Sequence, residues 1–333
     1  MKQVIAARGI ELDPSDNHLI AKESLKENAD EVENLRFKLV EKYSLSSETD
    51  AAKLQEFLSE KFATPYNDFE DIITRYQKEQ ENILNWLSER KLFPIFENQT
   101  LEIMRTPKFM EPSIPAGAML CPLSLREGMR KSVIYLTLRE ELLAEHTELS
   151  IPNMMIHEGI PGHHLHLATA TNHSSAIRRF MPCNDLAEGW TTMLEDYMLD
   201  QGYCSELADE VRFIAKRDIA RIGARVAIDL YFMSGDKKYL NVGVEADLSS
   251  DNPFVAAGNL LEKVTGFVPA RVQAELNWYS QESGYPMSYL IGNHLMMQLK
   301  RDFLAEGEGD DFSFHSYILS QGKAPLAFLT LNN

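Results

Sequence analysis

Apolar residues three and four apart, with charges between them, mark SLKENADEVENLRFKLVEKY and NDFEDIITRYQKEQENILNWLSERK as amphipathic helices. Residues 16–92 therefore read as helical, and 1–92 as a scaffold region. The pattern changes from about 93 to 138: LEIMRTP and SVIYLTL are β-branched and apolar, separated by the Pro-rich KFMEPSIPAGAMLCP, which predicts a small sheet. Helical periodicity returns in REELLAEH, in 151–171, in DLAEGWTTMLEDYMLD and from about Ser205 to Met233. Past Gly235 the chain reads as loops and mixed helix up to FSFHSYILSQGKAPLAFL. The fold class expected is mainly α with a minor sheet, residues 93–333 forming the domain that carries chemistry.

Composition narrows the functions open to such a chain. A length of 333 residues suffices for a large core, and 44% hydrophobic with 25% charged residues is ordinary for a globular protein. The formal charge of −17 repels phosphate and anionic lipid, so neither nucleic acid nor a membrane is expected as a partner. Cys121, Cys183 and Cys204 are odd in number and widely spaced, which argues against disulfides and thiolate metal sites. The N-terminus lacks the long apolar run of a signal peptide, so a cytoplasmic protein is the expectation.

Four of the nine histidines fall within ten residues, in His157-Glu158-Gly159-Ile160-Pro161-Gly162-His163-His164-Leu165-His166. A zinc helix of the usual kind sets two histidines four apart with a glutamate after the first. Here His163 follows His157 by about 600° of regular helix, on the wrong face, while His164 follows by about 700°, aligned but about 10.5 Å along the axis. Pro161 removes a helical donor and Gly159 and Gly162 relax the backbone, so a bend is expected to bring one of the two imidazoles to the ion. Both remain candidates. Catalytic zinc takes three protein ligands, and Glu188 on the next predicted helix is the expected third, with Glu195 orienting a histidine from behind. Trp190 reads as a core aromatic between these helices, and His166 and His173 as flanking polar residues.

The segment HEGIPGHHLH resembles the HE-x-x-PGHH-x-Q motif of the bacterial domain-of-unknown-function family 885, grouped with zincin-like metallopeptidases that use a glutamate as third ligand, the gluzincins. AEGW at 187–190 is similar to that family's EGW segment, and ARVAID at 224–229 to its A-R-L-V-V-D helix, which implies that Arg225 and Asp229 lie near the site. SGYPMSYLIG resembles PGQALSYKIG, and FHSYILSQGKAPLAFL the closing FH…L…G…PL pattern. The chain departs from the family at Met233, where the family has histidine, and at Ser283-Gly284-Tyr285 in place of PGQ. The resemblance implies a zincin-like helical metallopeptidase with one zinc ion acting on a peptide or small amide. Glu158 is then expected as general base, and Tyr289, or else Arg225, as donor to the developing oxyanion. The SVIYLTL strand is expected to offer an edge to an extended peptide. The alternatives are a zinc hydrolase of another amide or ester, and a catalytically silent helical protein that keeps the metal for structure.

Overall fold

The computed structural model describes residues 1–97, 99–111, 114, 117–121, 131–305 and 309–329, without the side chains of 141, 142 and 144. The N-terminal part holds helices α1 (Lys2–Ala7), α2 (Pro14–Lys42), α3 (Ala51–Lys61) and α4 (Phe69–Ser88). Three strands follow, β1 (Thr100–Arg105), β2 (Gly117–Leu120) and β3 (Lys131–Leu136). Next come α5 (Ser150–Glu158), α6 (His163–Ala170), α7 (Ala176–Phe180), α8 (Asn184–Asp200) and α9 (Ala208–Ser234). The chain continues through α10 (Pro253–Thr265), α11 (Pro269–Gln281), α12 (Ser288–Ala305) and α13 (Asp311–Ser320). The protein is mainly helical with a small three-stranded sheet.

Local chemistry starts several of these helices. The carboxylates of Asp50, Asp68 and Asp310 accept backbone N–H groups in the first turns of α3, α4 and α13, and the Asn252 amide oxygen does so at α10. REELLAEH forms a 3-10 turn, Glu140–Glu145, rather than an α-helix. Part of the Pro-rich separator is the strand β2; its residues 112, 113, 115, 116 and 122 lie outside the described set.

Strand order in the sheet is β1-β3-β2, with β1 parallel and β2 antiparallel to β3. The expectation that the SVIYLTL strand offers an edge is therefore corrected. β3 is the central strand, and both of its sides are already hydrogen-bonded.

One apolar cluster joins β1 and β3 to α4, α5, α8 and α13, with Trp190 fully buried in it. A second joins α9, α10 and α11 to the start of α12, and also takes in Ile5 and Ile10 from the N-terminus and Ala21 and Leu25 from α2. Close packing of α12 along α8 is possible because two glycines meet there. A Cβ on Gly189 would collide with the Gly292 backbone, and one on Gly292 with the Asp185 carbonyl. This crossing brings Tyr285, just before α12, and Tyr289, in its first turn, towards the face of α8 that carries Glu188. No helix among the described residues is long and apolar enough to cross a membrane.

Candidate metal centre

The segment 151–171 is two helices rather than one, and the break between them decides which histidine faces inward. α5 ends at Glu158, the Ile160–Pro161 bond is cis, and α6 starts at His163. At Gly162 the backbone doubles back onto the end of α5 so tightly that a Cβ would meet the Ile156 and His157 carbonyl oxygens. The Trp190 indole N–H donates to the Pro161 carbonyl at 3.0 Å, tying the break to α8.

This fold-back sets the His163 ring edge-on to His157 with centroids 4.9 Å apart, a placement that regular helical spacing excludes. Glu188 on α8 completes the group. Its Oε2 lies 3.7 Å from His157 Nε2 and 3.4 Å from His163 Nε2, and one ligand atom from each of the three residues lies within 4.8 Å of the others. His164, the alternative to His163, faces the sheet instead. Its Nδ1 bonds the Ser132 hydroxyl at 2.7 Å and its Nε2 the Gln99 side chain, so it is not among the converging atoms.

The remaining expected residues surround this group at different depths. Glu195, two turns beyond Glu188, meets His157 Nδ1 at 2.7 Å and accepts from the Asn153 amide at 2.9 Å, which orients the ring so that Nε2 faces Glu188. Glu158 is half-buried beside His157, and its charge contributes to raising the pKa of both His157 and Tyr289. The Tyr289 ring lies parallel to His157 with centroids 6.5 Å apart. Arg225 stacks on Tyr289 at 4.6 Å, with Nε bonded to the Tyr279 hydroxyl and Nη2 to Glu275. Asp229 does not touch the group; both its oxygens accept the Gly284 N–H at 3.0 Å. His166 bonds the Gly322 carbonyl and His173 accepts from Ser175 N–H, so both serve the local fold.

Sequence reasoning missed Tyr285. Its hydroxyl donates to Glu188 Oε1 at 2.9 Å. The only signal was indirect, a tyrosine at the position where the chain departs from PGQ.

Electrostatics follow from this packing. Burial works against a charged His157, yet Glu188 and Glu195 outweigh it and hold the imidazole up at about 10. Burial likewise opposes a charged Glu188, but the His163 and His157 imidazoles hold its carboxyl far below the usual carboxylate range. The Glu188 charge first, then burial, pushes the Tyr285 phenol well up, so it stays a donor.

Two imidazole nitrogens and a carboxylate form a donor set that holds catalytic zinc. The fit has a further sign: Glu188 Oε2 is buried and has no hydrogen-bond partner among the described residues, although it faces two imidazole nitrogens. An oxygen left so, beside nitrogens too distant for good hydrogen bonds, suits a cation that all three can reach.

Comparison with known proteins places the chain without naming a reaction. None of the curated proteins matches it. A crystal structure described as a "putative lipoprotein" from Colwellia psychrerythraea is similar over 98% of this chain and 53% of its own, with TM-score 0.78 and 18% identity. A second, from Shewanella oneidensis and described as a "putative lipoprotein of unknown function", is similar over 98% of this chain and 57% of its own, with TM-score 0.78 and 16% identity. The chain thus spans a little over half the length of these two structures, and at that identity the likeness is one of fold. The family described as "Bacterial protein of unknown function (DUF885)" matches residues 2–331, well beyond the span of the quoted motifs, and the chain belongs to the DUF885 family.

Proposed function

We propose that this protein is a zinc-dependent metallopeptidase with a zincin-like site, in which His157, His163 and Glu188 hold one zinc ion. The observation that carries the reading is the convergence of these three side chains around an unpartnered carboxylate oxygen. Zinc in such a donor set makes water acidic near neutral pH and polarises a carbonyl. Glu158, next to His157 in the chain, takes the proton of the attacking water and returns it to the leaving amine. Tyr289 keeps its phenolic proton, since burial and then the Glu188 charge raise its pKa, and it donates to the oxyanion that develops on the scissile carbonyl. Arg225 holds the ring from one face, bonding Tyr279 through Nε and Glu275 through Nη2 and leaving Nη1 buried without a hydrogen-bond partner among the described residues. With β3 paired on both sides, an extended peptide would add to the outer edge of β2, whose Gly117 packs against Met154 of α5.

The silent alternative requires a closed site with four protein ligands. Among the described residues no fourth His, Cys, Asp or Glu joins the group, which favours the catalytic reading. A hydrolase of non-peptide amides or esters uses the same residues and is separated from a peptidase by screening peptide and ester libraries with and without chelator. Cys121, Cys183 and Cys204 are free, which supports a cytoplasmic location; the description "putative lipoprotein" of the two solved structures favours the other side of the membrane, and cell fractionation decides between them.

The test of the base is Glu158→Gln. The variant is expected to keep its fold and its zinc and to lose hydrolysis by at least about a hundredfold, in line with the contribution of a positioned base. Unchanged turnover would remove Glu158 from that role.

A further inference from the structure

The Glu188 carboxylate has two oxygens with different environments. Oε2 faces both imidazole nitrogens, while Oε1 is held by the Tyr285 hydroxyl at 2.9 Å. Tyr285 lies on the turn between α11 and α12, about a hundred residues from Glu188 in the chain, and that turn is fixed from two more sides. From α9, the Asp229 carboxylate accepts the Gly284 N–H with both oxygens at 3.0 Å. From the N-terminus, Arg8 donates through Nε to the Ser283 carbonyl and through Nη2 to Glu282, each at 3.2 Å, and its guanidinium lies 5.8 Å from the centre of the Tyr285 ring. α1 itself is anchored by Ile5, which is fully buried.

We propose that the turn 282–285 is a clasp for the metal-binding carboxylate, in which Tyr285 is the positioning residue for Glu188 and Arg8 holds the turn in place. A free carboxylate can rotate, exchange its oxygens or bind a metal through both. One tied oxygen leaves the other as a single, aimed ligand and keeps the remaining coordination space open. The N-terminal helix is thereby coupled to a metal centre made of residues 150 and more positions away. The inference rests on the reading of His157, His163 and Glu188 as ligands and adds to it a claim about how the third ligand is oriented.

Tyr285→Phe isolates the hydroxyl, because the ring packs edge-on against Trp278 at 5.3 Å and parallel to Tyr289 at 6.0 Å, and phenylalanine keeps both contacts. Zinc affinity is measured on the metal-free full-length chain by competition with a chromogenic chelator, and the visible absorption of the cobalt(II) form reports coordination geometry. Tyr285→Phe is expected to bind zinc roughly ten- to a hundredfold more weakly and to shift the cobalt spectrum, the usual effect of losing a partner of a metal ligand. Its metal-free form should stay folded, with only a small drop in unfolding temperature from the lost hydroxyl bond to Glu188. Arg8→Ala should weaken zinc in the same direction but less, since that ion pair is partly exposed. Tyr285→Phe with unchanged affinity and spectrum, beside Glu188→Ala that loses zinc, would overturn the clasp and leave the metal centre standing. Arg8→Ala indistinguishable from the unsubstituted protein, with Tyr285→Phe weakened, would remove Arg8 from the clasp. Failure of the unsubstituted chain to bind zinc would overturn both the clasp and the centre.

Discussion

Two buried carboxylates, Glu188 and Glu275, are compensated in opposite ways. Glu275 has a side chain 8% exposed and receives Arg225 Nη2 at 2.9 Å and the Tyr279 hydroxyl at 2.6 Å. Its countercharge is a guanidinium, permanent and covalently part of the chain, and the distances are those of finished hydrogen bonds. Glu188 is 5% exposed, yet its Oε2 has only titratable imidazoles at 3.4 and 3.7 Å. The two side chains are about equally buried. The Glu275 oxygen is met by a fixed charge and a hydroxyl; the Glu188 oxygen faces imidazoles whose place as countercharge the proposed metal ion would take. A buried ion pair is thus no sign of a site by itself, and the informative feature is a buried oxygen whose compensating charge is removable.

The largest expected contrast is in metal retention. His157→Ala, His163→Ala and Glu188→Ala should each lose zinc, by a hundredfold or more, whereas His164→Ala and Glu275→Ala should keep it; equilibrium dialysis with metal analysis checks all five. Stability should divide the clusters the other way. Glu275→Ala leaves the Arg225 guanidinium buried without its partner and is expected to cost about 3–5 kcal/mol in denaturant unfolding. The same experiment on zinc-free Glu188→Ala should give a smaller loss, because the His157 imidazole it leaves behind still has Glu195 and can release its proton.

The pH dependence sharpens the comparison further. In metal-free protein the His157 imidazole is held up at about 10 against an ordinary 6.5. A raised folded value contributes stability that is whole below pH 6.5 and fades as the pH climbs towards 10. Burial raises Glu275, but Arg225 and Arg221 outweigh it and bring it down to about 2 from 4.5. Its contribution is whole above pH 4.5 and fades only on acidification towards 2. Unfolding of metal-free protein followed from pH 6 to 10 should therefore show a decline that His157→Ala flattens and Glu275→Gln does not. Zinc should oppose that decline, since rising pH frees its ligands. The smallest effect expected is that of Tyr279→Phe, about 2 kcal/mol, because the lost hydroxyl both donates to Glu275 and accepts from Arg225 Nε, with zinc affinity unchanged.

How much of this was legible in the sequence depends on how local each feature is. The helical periodicity of α2, α4, α8 and α9, and the pairing of His157 with Glu188 and Glu195, could be read because each rests on spacing within one or two helices. The choice between His163 and His164 could not, since it depends on how the backbone folds at Gly159–Gly162, and a regular-helix construction put His163 on the wrong face. β2 was hidden in a Pro-rich stretch whose strand character comes from pairing with β3 rather than from its own residues. Tyr285 and Arg8 were invisible because they reach the site only through contacts between distant parts of the chain. No periodicity records such contacts.

The central claim, that two imidazoles and one carboxylate grip a single cation, is tested most directly by zinc-edge X-ray absorption on the loaded protein. The account predicts one zinc per chain, a shell of nitrogen and oxygen at about 2.0–2.1 Å, and outer scattering from two imidazoles. Three or four imidazoles, a sulfur shell at about 2.3 Å, or no bound zinc would contradict it.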